Sequence, residues 1–335
     1  MSLNKFLFPL FACCLFFGCV EIEEHSRLSA RGNFEALWKI MDERYCFFDY
    51  KQVDWDKVHA EYRLEIDTVQ TVDGLFDVLN RMLQELKDGH VNIIAPFDVG
   101  RYWKWFEDYP VNYKQELIDD YLGTDYKIAS GIRYKILDDS IGYMRYADFS
   151  SGIGESNLDY VLYAFRDCEG MIIDVRNNGG GLLSNSELLA SRFFDEKTLI
   201  GYIQHKTGTG HNDFSEPRAQ YITPSDRIRY LKPVVVLTNR KCYSATNDFV
   251  NSMTYAPHVT ILGDKTGGGS GLPFYSEIPI GWAVRFSACP MYNAQKEHIE
   301  FGIDPDISVS LLDEDAKNGY DTLIERARQL LQKED

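Results

Sequence analysis

Residues 233–271 constrain the fold of this chain more than any other stretch. They open on Val234-Val235-Val236-Leu237, a β-branched apolar run bounded by Pro233 and Asn239 that reads as a buried strand. After Asn239-Arg240-Lys241, Ser244 begins a segment with helical apolar spacing. A second strand, 259–262, then runs into the glycine-rich turn 263–271. Ser244 thus stands where a strand hands over to a helix N-terminus, where outward N–H groups and the helix dipole favour negative charge. A hydroxyl there can be a nucleophile, with its own amide or the next one stabilising an oxyanion. It can equally be an N-cap, a position that serine favours.

The whole chain sets the frame for that choice. Its 335 residues, 44% hydrophobic and 14% aromatic, suffice for a sizeable core. A net charge of −16 with no concentrated basic patch excludes nucleic acid as the expected partner. Residues 1–18 carry one cation, Lys5, and an apolar run over 6–17, too short to span a bilayer but suited to a signal peptide. Residues 19–32, acidic at Glu21, Glu23 and Glu24, read as a solvated tether. Cys46, Cys168, Cys242 and Cys289 show no CxxC pair and no zinc-type spacing, and read as buried small hydrophobes. No metal and no organic cofactor is expected.

Residues 33–95 read as an N-terminal helical domain. Phe34, Leu37, Trp38 and Met41 recur at helical spacing, a second helix covers Trp55–Ile66, and an apolar stripe runs from Val72 to Leu86. Gly89 is its expected C-terminal cap, followed by His90 and a strand over 91–95. Residues 96–125 read as a connecting segment. From 126 to 335 strands (141–146, 171–175, 199–204, 282–286) alternate with helices (157–165, 184–194, 321–332), which argues for a layered α/β core. The polar loop 205–214 reads as mobile.

Two further places can carry chemistry. In Asp174-Val175-Arg176-Asn177-Asn178-Gly179-Gly180-Gly181 a buried strand ends in consecutive glycines, so backbone amides can be aimed at a ligand. The lysine of a phosphate-binding loop is missing, which leaves a plain turn, half of an oxyanion hole, or a cleft for an extended peptide. In Leu86-Lys87-Asp88-Gly89-His90 the histidine is either structural or a general base, its ordinary pKa near 6.5 suiting proton transfer at neutral pH.

Together these sites resemble the S41 peptidases, the family of C-terminal processing and tricorn proteases. The matching pieces are DVRNNGGG from Asp174, YSATNDF from Tyr243, GDKTGGG from Gly263 and FGIDPDISV from Phe301, in the family's order over roughly residues 86–310. The resemblance implies a crotonase/ClpP-like layered α/β core with an N-terminal helical subdomain. It also implies Ser244 as nucleophile, with the oxyanion held by the amide of Ala245 and by Gly180 or Gly181, Gly180 being the first choice. Processing proteases carry a general-base lysine about 25 residues after the serine, but Gly269 stands there and the nearest cation is Lys265. The tricorn branch instead uses a histidine and a glutamate, for which this chain offers His90 and Glu300, with Glu297 as a rival acid. The serine that tricorn-type sites carry beside the histidine is replaced by Gly89, and 96–126 is too short for a PDZ domain. Leu15-Phe16-Phe17-Gly18-Cys19 resembles a bacterial lipobox, which implies cleavage before Cys19 and lipid on its thiol.

The expectation is an exported, lipid-anchored serine peptidase of the bacterial cell envelope, cleaving peptides or unfolded chains through an acyl-enzyme. Its rate should fall as pH drops through the His90 pKa. The alternatives are a non-catalytic module that binds a peptide or ligand in the same cleft, and an esterase or amidase with the same triad. The absence of a GxSxG elbow counts against the common α/β-hydrolase form of the latter.

Overall fold

The computed structural model describes residues 28–332. The expected signal peptide, Cys19 and most of the tether lie outside the described residues. Three helices open the chain, each with a side-chain cap: α1 (Ala30–Arg44) by Ser29, α3 (Trp55–Ile66) by Asp54 and α4 (Val72–Gln84) by Thr71, with the one-turn α2 (Phe48–Lys51) between the first two. After α4, Lys87 rather than Gly89 takes the left-handed conformation, at φ 47°. Gly89 is therefore not the cap, and its lack of a side chain serves another purpose described below.

The segment 96–125 holds more structure than a plain connection. After β1 (Asn92–Ile94) come β2 (Val99–Gly100), α5 (Lys104–Glu107) and α6 (Gln115–Leu122). Then follow β3 (Lys127–Ala129), β4 (Ile132–Ile136), β5 (Gly142–Tyr146), α7 (Glu155–Ala164), β6 (Met171–Asp174), α8 (Leu183–Ala190), β7 (Thr198–Ile203) and β8 (Arg218–Ile222). The last third comprises β9 (Val234–Thr238), α9 (Ala245–Met253), β10 (Val259–Gly263), β11 (Pro273–Glu277), β12 (Ala283–Ser287), β13 (Met291–Asn293), β14 (Ile307–Ser308), α10 (Asp313–Lys317) and α11 (Thr322–Leu331).

A seven-stranded sheet, ordered β14-β10-β9-β6-β5-β4-β3, forms the centre, parallel from β14 to β5 and antiparallel beyond. Its inner strands β6 and β9 are buried throughout, as continuous apolar runs in a parallel sheet require. Alternation sends Ile173, Val234 and Val236 to a core shared with α7, α8 and α9. The intervening Ile172, Val235 and Leu237 pack with α6 and α11 on the other face. The fold is thus a layered α/β core with a helical N-terminal region.

The boundary expected near residue 95 does not separate two cores in space. The helical region shares its apolar core with Ile278, Trp282, Val284 and Phe286. Strand β1 pairs antiparallel with β12, Asn92 opposite Arg285, in a sheet ordered β11-β12-β1-β2. A three-residue strand cannot satisfy its own backbone, so it borrows partners from far along the chain. The loop 205–214 is docked, contrary to the mobile reading: His211 Nε2 lies 2.7 Å from Asp42 Oδ1 and Asn212 donates to Asp49 at 2.5 Å.

Candidate active site

Ser244 is delivered by the connection from β9 to α9, with φ 58° and ψ −123°. A non-glycine residue in that region is strained, and such strain persists only where the surroundings enforce it. The Ser244 amide donates to Gly268 O at 2.8 Å and the Gly267 amide to Cys242 O at 2.8 Å, so the glycine-rich turn grips the elbow from behind. Although Ser244 occupies the N-cap position, its hydroxyl makes no capping bond. Its Oγ lies 3.0 Å from His90 Nε2 instead. The plain capping reading is thereby set aside.

His90 is only 2% exposed. Its amide donates to Asp88 Oδ1 at 2.8 Å and its ring rests 4.9 Å from that of Tyr243. Burial drags its pKa down to about 3; Asp88 opposes this, while Arg285 and Lys51 add to it. The imidazole is therefore neutral throughout the physiological range, which corrects the expectation of a titration near its ordinary value. Nδ1 has no hydrogen-bond partner among the described residues.

The neighbouring Gly89 explains part of this. A Cβ there would lie 2.6 Å from Trp105 Nε1 and 2.8 Å from Tyr243 Oη. The place of the expected serine is thus filled by an indole from the supposed connecting segment, stacked on Tyr243 at 4.1 Å. The glycine is needed for close approach, not for its backbone freedom.

Glu300 is buried, but it does not touch the imidazole. Its Oε1 lies 2.8 Å from Lys51 Nζ and its Oε2 accepts from the Ser270 amide at 2.7 Å, while its carbonyl accepts from Gly269 N at 3.0 Å. It thus clamps the turn that grips Ser244. Lys51 also lies 3.3 Å from Asp88 Oδ2, which accepts from Tyr45 Oη and Ser287 Oγ at 2.9 Å each. Burial pushes Glu300 up to about 7, with Asp88 adding to the rise and Lys51 opposing it. Burial also works against the Lys51 ammonium, yet Asp88 and Glu300 hold it at about 12. Glu297, the rival acid, sits on the surface bonded to Asn293 of its own hairpin. Lys265 pairs with Asp304 at 3.0 Å, and a Cβ on Gly269 would lie 2.3 Å from the Tyr243 ring at φ 80°, so neither position supplies a lysine base.

Sequence reasoning missed Lys51, Asp88 and Trp105 as members of this cluster. Asp88 beside His90 was the one readable signal; Lys51 and Trp105 lie in aromatic stretches with no distinguishing pattern.

The three glycines differ in what they contribute. The Gly180 amide donates to Asn178 Oδ1 at 3.0 Å, so the first choice for the oxyanion is already engaged. Asn178 Oδ1 also accepts from Thr246 Oγ1 at 2.6 Å, which ties the loop to α9. Gly180 instead provides space, since a Cβ there would sit 2.9 Å from Ala245 N. Gly181 and Ala245 line the cleft with Ser244 and His90, which leaves their amides as the candidates for holding a developing oxyanion. The loop itself is fixed by fully buried Arg176, which bonds Asp174 and Asp321.

The cleft measures about 290 Å³ and is walled by Leu182, Leu183, Leu272, Met291 and Ile299, with Asp248 and Arg285 as its charged members. Among the described residues no group of three or more His, Cys, Asp or Glu side chains could hold a metal ion.

Comparison with known proteins places the chain in a family. The description of Peptidase family S41 matches residues 140–309, and that of the Tricorn protease C1 domain matches residues 26–84. A crystal structure of a candidate peptidase from Parabacteroides merdae is 58% identical, covering 92% of this chain and 98% of that one with a TM-score of 0.88. The carboxyl-terminal-processing protease of Synechocystis sp. is 28% identical over 170 residues, 50% of this chain and 37% of that protein. The carboxy-terminal processing protease CtpA of Bacillus subtilis is 24% identical over 178 residues, 52% of this chain and 36% of that protein. The chain thus spans under half the length of these two curated relatives. With one family description matching half of its residues and a solved relative alike over nearly all of them, this chain belongs to peptidase family S41.

Proposed function

We propose that this protein is a serine peptidase that cleaves peptides or unfolded chains through an acyl-enzyme on Ser244. The 3.0 Å approach of Ser244 Oγ to His90 Nε2, from a hydroxyl turned away from its capping role, carries the reading. His90, neutral with its proton on Nδ1, takes the Ser244 proton as Oγ attacks the carbonyl carbon, then returns it to the leaving amine. The oxyanion forms against the amides of Ala245 and Gly181. Asp88 opposes the loss of basicity at His90 and so favours the imidazolium of the transition state. Lys51 and Glu300 act at one remove: Glu300 holds the turn behind Ser244, and Lys51 keeps both carboxylates buried.

The test is proteolysis of a diverse peptide mixture read by mass spectrometry. Cleavage should occur with the wild-type protein and fall by at least about 10⁴-fold in kcat for Ser244→Ala, with His90→Ala nearly as low because base and nucleophile act as a unit. An unchanged cleavage pattern in Ser244→Ala would remove the nucleophile assignment. A folded wild-type protein that leaves every peptide intact would favour a binding module on the same cleft.

We also propose export and lipid anchoring at the cell envelope through Cys19, on the lipobox-like 15–19. The intact mass of the mature protein, compared with Cys19→Ala, checks it: acyl chains should appear only with the cysteine.

A further inference from the structure

Arg285 is the unusual charge of the cleft. In a chain with 51 acidic residues against 35 basic ones, a partly buried guanidinium ordinarily finds a carboxylate or a set of carbonyls. Arg176 has Asp174 and Asp321, Arg192 has Glu155 and Asp159, Arg328 has Asp139 and Glu325, and Arg240 has the carbonyls of Trp105 and Thr266. Arg285 has one long contact, Nη1 to Asn92 Oδ1 at 3.4 Å, while its Nε is buried without a partner. No acidic side chain pairs with it among the described residues.

Its position gives that vacancy of partners a direction. Arg285 lies on β12 directly opposite Asn92 of β1, two residues beyond His90. Residues paired across antiparallel strands share a face, so Arg285 projects on the side of Asn92, and it borders the same cleft as His90. Its charge reaches the imidazole, being among the influences that weaken His90 as a base. The residue that protonates the leaving amine sits on the leaving-group side of the scissile bond. Gly181, Leu182 and Leu183, from the start of α8 and the loop before it, line the same cleft.

Resting on the peptidase reading above, we propose that Arg285 binds a carboxylate on the leaving-group side of the scissile bond, so that the enzyme prefers substrates presenting a negative charge there. A guanidinium suits this role because its planar fork meets a carboxylate in two parallel bonds. The carboxylate can be the terminal one of a short leaving peptide or the side chain of an acidic residue just after the cut.

Matched quenched-fluorescent peptides decide it. One pair differs only in ending as a free acid or an amide, and a second pair only in Glu or Gln as the first leaving residue. Wild-type protein should favour the carboxylate member of at least one pair by roughly ten- to hundredfold in kcat/KM, the span of a charge-assisted hydrogen-bonded contact. The favoured pair identifies the source of the carboxylate. Arg285→Met should bring that ratio to near one and Arg285→Lys should retain part of it, the ratio being read whatever the absolute rate. Equal rates within both pairs for the wild-type protein would overturn the proposal without any variant, as would a ratio that survives in Arg285→Met. Should nothing be cleaved, affinities of the same peptides for Ser244→Ala, measured by fluorescence anisotropy, give the ratio independently. A carboxylate preference there upholds Arg285 while the peptidase reading fails, and its absence removes both.

Discussion

Arg176 and Lys51 are both buried cations that hold two carboxylates, yet their clusters behave differently. Arg176 meets Asp174 and Asp321 through several short bonds, with Tyr143 Oη also donating to Asp174 at 2.9 Å and a second arginine, Arg145, donating to the Asp174 carbonyl. Burial works against the Asp174 carboxylate, but Arg176 and Arg145 win and hold it below the usual range. That cluster is balanced in charge and fully bonded. The other has Asp88 and Glu300 on the single Lys51, with His90 Nδ1 unpartnered close by. Asp88 keeps its charge and Glu300 gives up part of its own, with a pKa of about 7. A balanced network fixes a loop; an unbalanced one leaves a group poised to titrate near neutrality.

Removing each cation should widen the contrast. Lys51→Met and Arg176→Met should each cost about 3–5 kcal/mol at pH 8, because two buried carboxylates lose their partner. For Lys51→Met the loss should shrink toward pH 5, where Glu300 is protonated, whereas for Arg176→Met it should hold between pH 5 and 8. Urea denaturation at both pH values checks this, and parallel pH behaviour of the two variants would break the comparison.

Glu300→Gln should act more on pH dependence than on fold. With His90 neutral down to about pH 3, the group that titrates between pH 5 and 8 in this cluster is Glu300. Its ionised form offsets Lys51, which disfavours the imidazolium, so kcat/KM should rise with pH through about 7 and Glu300→Gln should flatten the profile. Stability runs the other way. A carboxyl whose folded pKa is raised contributes fully below its ordinary 4.5, and that contribution is lost as pH rises toward 7. His90, lowered from 6.5, contributes above that value and loses its part as pH falls toward 3. Wild-type urea midpoints should therefore carry opposing slopes, of which Glu300→Gln removes the part of the downward one that reaches to about pH 7, leaving that of Asp248, raised by burial to about 6. A variant that keeps the wild-type slope would detach Glu300 from the titration.

Gly89→Ser should have the smallest effect. It restores the residue type expected beside His90, but its Cβ falls on Trp105 Nε1 and Tyr243 Oη. A loss of about 1–3 kcal/mol from overpacking is expected, with no gain in kcat. Faster turnover would show that the indole yields and that the serine can serve here.

The main secondary structure was legible because it follows from local spacing. The helix Trp55–Ile66 and the strand at 234–237 stand where the apolar periodicities put them, and Ser244 was marked by its place between strand and helix. The short strands β2, β13 and β14 were not readable, since two or three residues carry no periodicity and exist through distant partners.

By itself the sequence determined the layered α/β class and the ordered motifs that place Ser244, the glycine loop and Glu300. Only the tertiary structure decided that the Gly180 amide is taken by Asn178 while Gly181 and Ala245 line the cleft. It also decided that Trp105 fills the room beside Gly89, that Glu300 reaches Lys51 rather than the imidazole, and that Arg285 borders the cleft with no acidic side chain paired to it among the described residues. The reason is physical: backbone pattern is written by neighbours in the chain, whereas a pKa, a donor's partner and a charge's isolation depend on groups that meet only when β1 pairs with β12 and the helical region closes over the core.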